Sequence, residues 1–181
     1  MSSVLDLLIE MKDKSELALD LAYAALLLED KELARTVERI EEKLNSTRDE
    51  IGKLCLQSRP SPQEAESLVS VVNMANITER ISDAAMDIAR MVLRDHKKHP
   101  VLEEALLREG MTVFRHRVRS GAGKTLGALE LYKITGTHVL GLKRGDEWHA
   151  WPASLEMTLR QGDELLVMTT IAGRKQVEKT A

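Results

Sequence analysis

Gly136-Thr137-His138-Val139-Leu140-Gly141-Leu142-Lys143-Arg144-Gly145-Asp146-Glu147-Trp148 reads as the end of a helix, a strand, a turn and a returning strand. A glycine can stop a helix in the left-handed conformation that other residues avoid. Thr137–Lys143 then supplies the β-branched and apolar residues that a pleated, half-buried surface favours. Arg144-Gly145-Asp146 makes the hairpin turn, and Glu147–Ala150 is the third strand of the region. Downstream, Gly162-Asp163-Glu164-Leu165-Leu166-Val167 opens a last strand over 164–170. Upstream, Met111–Val118 alternates as a first strand should, and Ser120-Gly121-Ala122-Gly123 turns the chain. Leu126, Leu129, Leu131 and Ile134 predict one helix ending at Gly136. A strand, a helix and three strands make a small α+β unit near the lower size limit for folding alone, so dimerisation would help it.

Outward from that unit the period changes. Val4, Leu5, Leu8, Met11, Ala18, Leu19, Ala22 and Leu26 recur at helical spacing, predicting a helix from about Ser3 to Leu28 with Ser2 or Ser3 as its cap. Glu29-Asp30 breaks it, with Asp30 placed to cap a second helix. That helix carries Leu33, Val37, Ile40, Leu44, Thr47, Ile51 and Leu54 on one face. Pro60 and Pro62 interrupt the pattern, because a proline inside a helix removes a donor and clashes with the preceding turn. Ser61, Pro62 and Glu64 together form a helix-start signature. A third helix follows with Leu68, Val72, Ala75, Ile81, Ala85, Ile88 and Val92 inward, running to about Lys97. Short connections make three such helices antiparallel. The expected layout is α+β in two domains: an antiparallel three-helix bundle over 1–98, a linker over 99–110 with a short helix near Val101–Arg108, and the small α+β domain over 111–181.

Composition excludes several functions. The chain has 181 residues, 43% hydrophobic and 30% charged, which suits a globular protein. Aromatic residues make up only 3%, too few for the stacking platforms of single-strand nucleic-acid binding. A net charge of −3 supplies no field for a phosphate backbone, so no nucleic acid is expected as a partner. The local basic group Arg108, Arg115, His116, Arg117, Arg119 and Lys124 reads most simply as the solvated surface and ends of an edge strand. Cys55 is the one cysteine and reads as a small apolar helix residue; its isolation points to an intracellular compartment. No window is apolar enough to span a bilayer, so direct membrane insertion is not expected. Histidines 96, 99, 116, 138 and 149 show no metal-ligand spacing with cysteine. Trp148 and Trp151 read as packing residues. No nucleophile, phosphate loop or hydrolase arrangement appears, so the protein is not expected to be an enzyme and no residue is assigned as catalytic.

Carboxylates are the main chemical feature of the helices. Glu38 and Glu42 stand four apart on the second helix, and Glu79, Asp83 and Asp87 repeat that interval on the third. This spacing stacks side chains on one face, where like charges repel by a few tenths of a kcal/mol per pair. Oxygen ligands from two helices suit magnesium or carboxylate-held iron and manganese. The simpler reading pairs Glu38, Glu41 and Glu42 with Arg35, Arg39 and Lys43 on an exposed face.

Asn73–Ala89, with Glu79-Arg80-Ile81-Ser82-Asp83 at its centre, resembles the signature helix of PhoU-type domains, and Asp30–Glu42 resembles the helix before it. The resemblance implies a helical bundle binding metal through acidic pairs, with Glu38, Glu42, Glu79, Asp83 and Asp87 as the candidates and iron, manganese, zinc, nickel or magnesium as the ion. The chain departs from the family in having one three-helix repeat instead of two, Ser82 for a glycine and Asp87 for an asparagine. A complete site would then need a second copy.

Gly123–Leu131, Gly136–Trp148, Pro152 and Leu159–Val167, in that order and spacing, resemble a TrkA C-terminal (RCK-C) domain. That resemblance implies a dimeric regulatory lobe acting on potassium channels and transporters. In some members a cyclic dinucleotide sits near an arginine at a strand end and an Asn-Pro step. Arg144 and Pro152 match those positions, whereas Trp151 replaces the asparagine. The candidate ligand residues are therefore Lys143, Arg144, Trp151 and Pro152, and the candidate cofactor is a nucleotide. No Gly-x-Gly-x-x-Gly dinucleotide fingerprint precedes the lobe.

Together these readings predict a homodimeric regulatory subunit of a potassium or other cation channel or transporter. It is expected in the cytoplasm, held peripherally at the inner face of the membrane by an integral-membrane partner. Two alternatives stand beside it. One is a metal-binding regulator of phosphate transport, and the other is a dimerisation adaptor without a ligand.

Overall fold

The computed structural model describes residues 3–107, 110–150 and 153–181, the Ala153 side chain aside. By their contacts the residues form two units, Met1–Tyr23 with Lys31–His96, and Ala24–Asp30 with Lys97–Ala181.

The first unit is helical: α1 (Val4–Leu28) as far as Tyr23, α2 (Lys31–Gln57) and α3 (Pro62–Leu93). Its start is capped by exchange: the Asp6 N–H donates to Ser3 Oγ at 3.1 Å, and the Ser3 N–H donates to Asp6 Oδ2 at 2.9 Å. The predicted signature at Ser61 is a full capping box, with Pro62 at the first helical turn and Glu64 reaching back to the Ser61 N–H at 2.8 Å. Leu7 and Met11 of α1, Leu44, Ile51 and Cys55 of α2, and Ala75 of α3 form one buried cluster. Cys55 is buried in this cluster, in keeping with its reading as a small apolar helix residue.

The third helix differs from its predicted pattern in two respects. Its buried side consists of Ala75, Thr78, Ser82, Ala85, Met86, Ala89 and Val92. Ile81 is 41% exposed and so is not core. Small residues let the backbone of α3 approach the bundle closely, which turns the larger Met74, Ile77 and Ile81 outward. The helix also ends at Leu93, not near Lys97.

In the second unit α4 (Pro100–Leu106) precedes four antiparallel strands, β1 (Met111–Arg117), β2 (His138–Arg144), β3 (Glu147–Ala150) and β4 (Glu164–Thr170), in spatial order β1-β4-β2-β3. Phe114 pairs with Val167, and Leu142 with Leu165. Side chains opposite one another on neighbouring strands share a face. That face holds Phe114, Val139, Leu142, Leu165 and Val167 in a core with Leu126, Leu129, Leu159 and Val177. On the other face Val113, Leu166 and Trp148 are buried as well.

The predicted helix over Leu126–Ile134 is broken in two. A short 3-10 turn covers Gly127–Leu129, Glu130 sits in the left-handed region at φ 46°, and α5 is only Leu131–Thr135. Gly136 closes it at φ 66°, as its position predicted. A helix the sequence reading missed, α6 (Ile171–Thr180), follows β4, capped by the Thr170 hydroxyl on the Gly173 N–H at 3.0 Å. Among the described residues no helix is long and apolar enough to cross a membrane.

Candidate functional site

The hairpin end of β2 was predicted to present Lys143 and Arg144 to an anion. Arg144 is instead bound within its own unit. Its Nε donates to Asp163 Oδ1 at 3.0 Å and its Nη2 to Asp163 Oδ2 at 2.6 Å. Nη2 also donates to the Thr158 carbonyl at 2.7 Å. A guanidinium fork facing a carboxylate fork is the strongest common form of charged hydrogen bond. Asp163 is 4% exposed and accepts the Arg160 N–H at 2.8 Å as well. Burial works to raise the Asp163 pKa, but the hydrogen bonds from Arg144 and Arg160 outweigh it and hold the carboxyl below its ordinary value. The pair ties the end of β2 to the turn that launches β4, where Gly162 supplies the positive φ of 91°. The Gly-Asp step ahead of a strand was visible in the sequence; that its carboxylate faces Arg144 was not.

Lys143 lies in register with Trp148 on β3 and Glu164 on β4. Glu164 is itself held by Arg115, whose Nε and Nη2 reach its two oxygens. Arg115 Nη1 also donates to Asp30 Oδ2 at 2.6 Å. So Arg115, expected on a solvated strand surface, is part of a half-buried three-member network. Arg117, Arg119 and Lys124 are exposed, as that reading expected. Trp151, Pro152 and Arg108 lie outside the described residues.

Three buried polar atoms, Trp148 Nε1, Ser154 Oγ and His116 Nε2, have no hydrogen-bond partner among the described residues. Burial holds the His116 imidazole below its ordinary pKa, against the opposing pull of the Ala181 backbone. His138 is exposed on β2 with Tyr132 edge-on at 4.8 Å, and His149 is half-buried on β3, so both are strand residues as expected.

The helical carboxylates are distributed differently. Glu38, Glu42, Asp83 and Asp87 are exposed, and Glu79 is half-buried. Glu79 accepts from Arg48 Nη1 on α2 at 2.7 Å, an ion pair linking the two helices. Asp87 pairs with Arg90 one turn along at 2.6 Å. Among the described residues no three His, Cys, Asp or Glu side chains gather so as to hold a metal ion. Two of the five candidate carboxylates, Glu79 and Asp87, are engaged by arginines.

The chain is similar to known proteins in two separate stretches. Residues 8–92 match the PhoU domain family model, and residues 113–181 match the TrkA-C domain model. No curated protein matches the sequence. Among solved structures, the RCK C domain of the potassium transport protein KtrA, in complex with cyclic diadenosine monophosphate, is 22% identical with a TM-score of 0.39, over 45% of this chain and 95% of that one. The RCK_C domain dimer of S. agalactiae BusR, in complex with the same dinucleotide, is 14% identical with a TM-score of 0.35, over 39% of this chain and 90% of that one. The GsuK channel bound to NAD is 23% identical with a TM-score of 0.36, over 61% of this chain and 20% of that one.

Proposed function

We propose that this chain, a PhoU domain joined to a TrkA-C domain, is a regulatory protein of potassium or related cation transport whose second unit binds a small anionic ligand. The ordered match of residues 113–181 to the TrkA-C model carries this reading, since that family is the regulatory lobe of potassium-conductance proteins. The protein acts in the cytoplasm as a homodimer on a separate channel or transporter, and it is not an enzyme.

Within the reading, Lys143 and Arg144 have different tasks. Arg144 is a positioning residue: its Nε and Nη2 are taken by Asp163 and the Thr158 carbonyl, so it fixes the turn over 158–163. Lys143, the residue before Arg144 on β2, is the cation that meets the anion. For a ligand to regulate, it must bind one dimer geometry more tightly than another.

Calorimetry on the full chain with cyclic diadenosine monophosphate and NAD tests the reading. Binding of one of these, weakened at least tenfold in Lys143→Ala at unchanged melting temperature, supports it. No binding of any of them by well-folded protein overturns it.

A further inference from the structure

An apolar seam runs along the outside of α3. Met74, Ile77, Ile81, Ala84, Ile88 and Met91 alternate steps of three and four residues, the heptad spacing of a helix that packs on another helix. The bundle leaves the first part of this seam open and the rest half-covered: Met74 is 56% exposed, Ile77 53% and Ile81 41%, Ala84 is exposed, and Ile88 and Met91 are half-buried. With these as the a and d positions, one flank (e) is Thr78, Ala85 and Val92, all buried in the helix's own bundle. The other flank (g) is Asn73, Arg80, Asp87 and Arg94, all exposed. Arg80 has no ion-pair partner among the described residues.

We infer that this seam is a homodimer interface, in which α3 packs antiparallel on α3 of a second copy. A two-fold axis perpendicular to the helices brings the same flank of each copy together, so g positions meet g positions. Setting Ile81 against the partner's Ala84 aligns Ile77 with the partner's Ile88 and Met74 with the partner's Met91. The same register places Arg80 opposite the partner's Asp87, twice by symmetry, and Asn73 opposite the partner's Arg94. Moving the register by one heptad sets Arg80 against the partner's Arg80, or Asp87 against the partner's Asp87. A parallel pairing sets each g residue against the buried Thr78, Ala85 or Val92 and leaves the charges unmatched. The charge pattern therefore selects a second copy of this chain, in one orientation and one register. The existing Asp87–Arg90 pair does not compete strongly, because both side chains are well exposed and such pairs contribute little.

Sedimentation equilibrium on the full chain tests this, with circular dichroism to confirm folding. The wild type is expected to be a dimer and Ile81→Glu a monomer. Arg80→Asp and Asp87→Arg, each alone, weaken the dimer at least tenfold by creating two like-charge contacts, and the double reversal restores it to within a few-fold. Both charge sites are exposed, so these variants keep the fold. A wild-type monomer overturns the inference, as does a dimer indifferent to Ile81→Glu or a double reversal no better than the singles. Ligand calorimetry reads the second unit independently, so failure of this inference and failure of the regulatory reading are distinguishable.

Discussion

Asp20 and Asp163 are both partly or wholly buried carboxylates, and they respond to burial in opposite directions. Asp20, half-buried on α1, has no hydrogen-bond or ion-pair partner among the described residues. Desolvation, with Glu16 one turn away adding repulsion, raises its pKa from 3.8 to about 6. Its folded state therefore binds more protons than the unfolded chain between those values, so stability falls as pH rises through that window. At one pKa unit per 1.4 kcal/mol, discounted for the exposed part, the cost at neutral pH is about 1–2 kcal/mol. Asp20→Asn is expected to recover about that much at pH 7 and nothing near pH 4, measured by urea denaturation. Asp163 has its folded pKa lowered, so its contribution is present above the unfolded value of 3.8 and is lost as pH falls below it. Asp163→Asn leaves Arg144 without its partner and is expected to cost about 2–3 kcal/mol at pH 7 in the same measurement.

At the scale of elements, β4 and α6 meet at a glycine. A Cβ on Gly173 would run into the Thr169 hydroxyl and lie 3.1 Å from the Thr135 carbonyl, so α6 can sit against β4 and α5 only without a side chain there. Gly173→Ala is expected to lower stability by about 1–3 kcal/mol, whereas Ala172→Gly, at the exposed neighbouring position, changes it by about 1 kcal/mol or less. Thermal melts of the two variants check the difference. The same region marks the limit of what the sequence made legible. Strands β1, β3 and β4 and the start of α3 were readable because alternation and capping chemistry are local. The stop of α5 at Gly136 was readable for the same reason. The break at Glu130 was not, because a non-glycine residue at positive φ carries no local signature. Nor was α6, whose short apolar face of Gly173 and Val177 gives little periodicity. Ile81 was placed inward because the stripe was read as one face. α3 in fact carries two, a small-residue face on the bundle and a larger-residue face in solvent. The Arg144–Asp163 lock joins positions 19 apart in sequence, and no local pattern announces such a pair.

On the scale of the whole molecule, the described residues include two separate apolar clusters of different composition. Leu7, Met11, Leu44 and Ile51 fill the helical one, and Phe114, Leu142, Leu165 and Val167 fill the one beneath the sheet. Neither cluster draws a residue from the other unit. Unfolding is then expected to proceed in two transitions instead of one, since two-state behaviour belongs to single cooperative cores. The two aspartates identify which transition is which. Asp20 lies in the first unit and Asp163 in the second. Asp20→Asn should move one calorimetric peak upward at pH 7, and Asp163→Asn should move the other downward. α1 is shared, however, with Val4–Tyr23 in the first unit and Ala24–Leu28 in the second. Any coupling carried by that helix appears as movement of the second peak in a variant of the first unit. Two peaks that always shift together would mean that the chain unfolds as one body. A ligand bound to the second unit would then stabilise the bundle equally, because binding to the folded state raises the stability of whatever unfolds with it. Independent peaks would confine that stabilisation to residues 97–181 and their short N-terminal contribution. In that case a ligand signal would reach the α3 seam only through a change of dimer geometry.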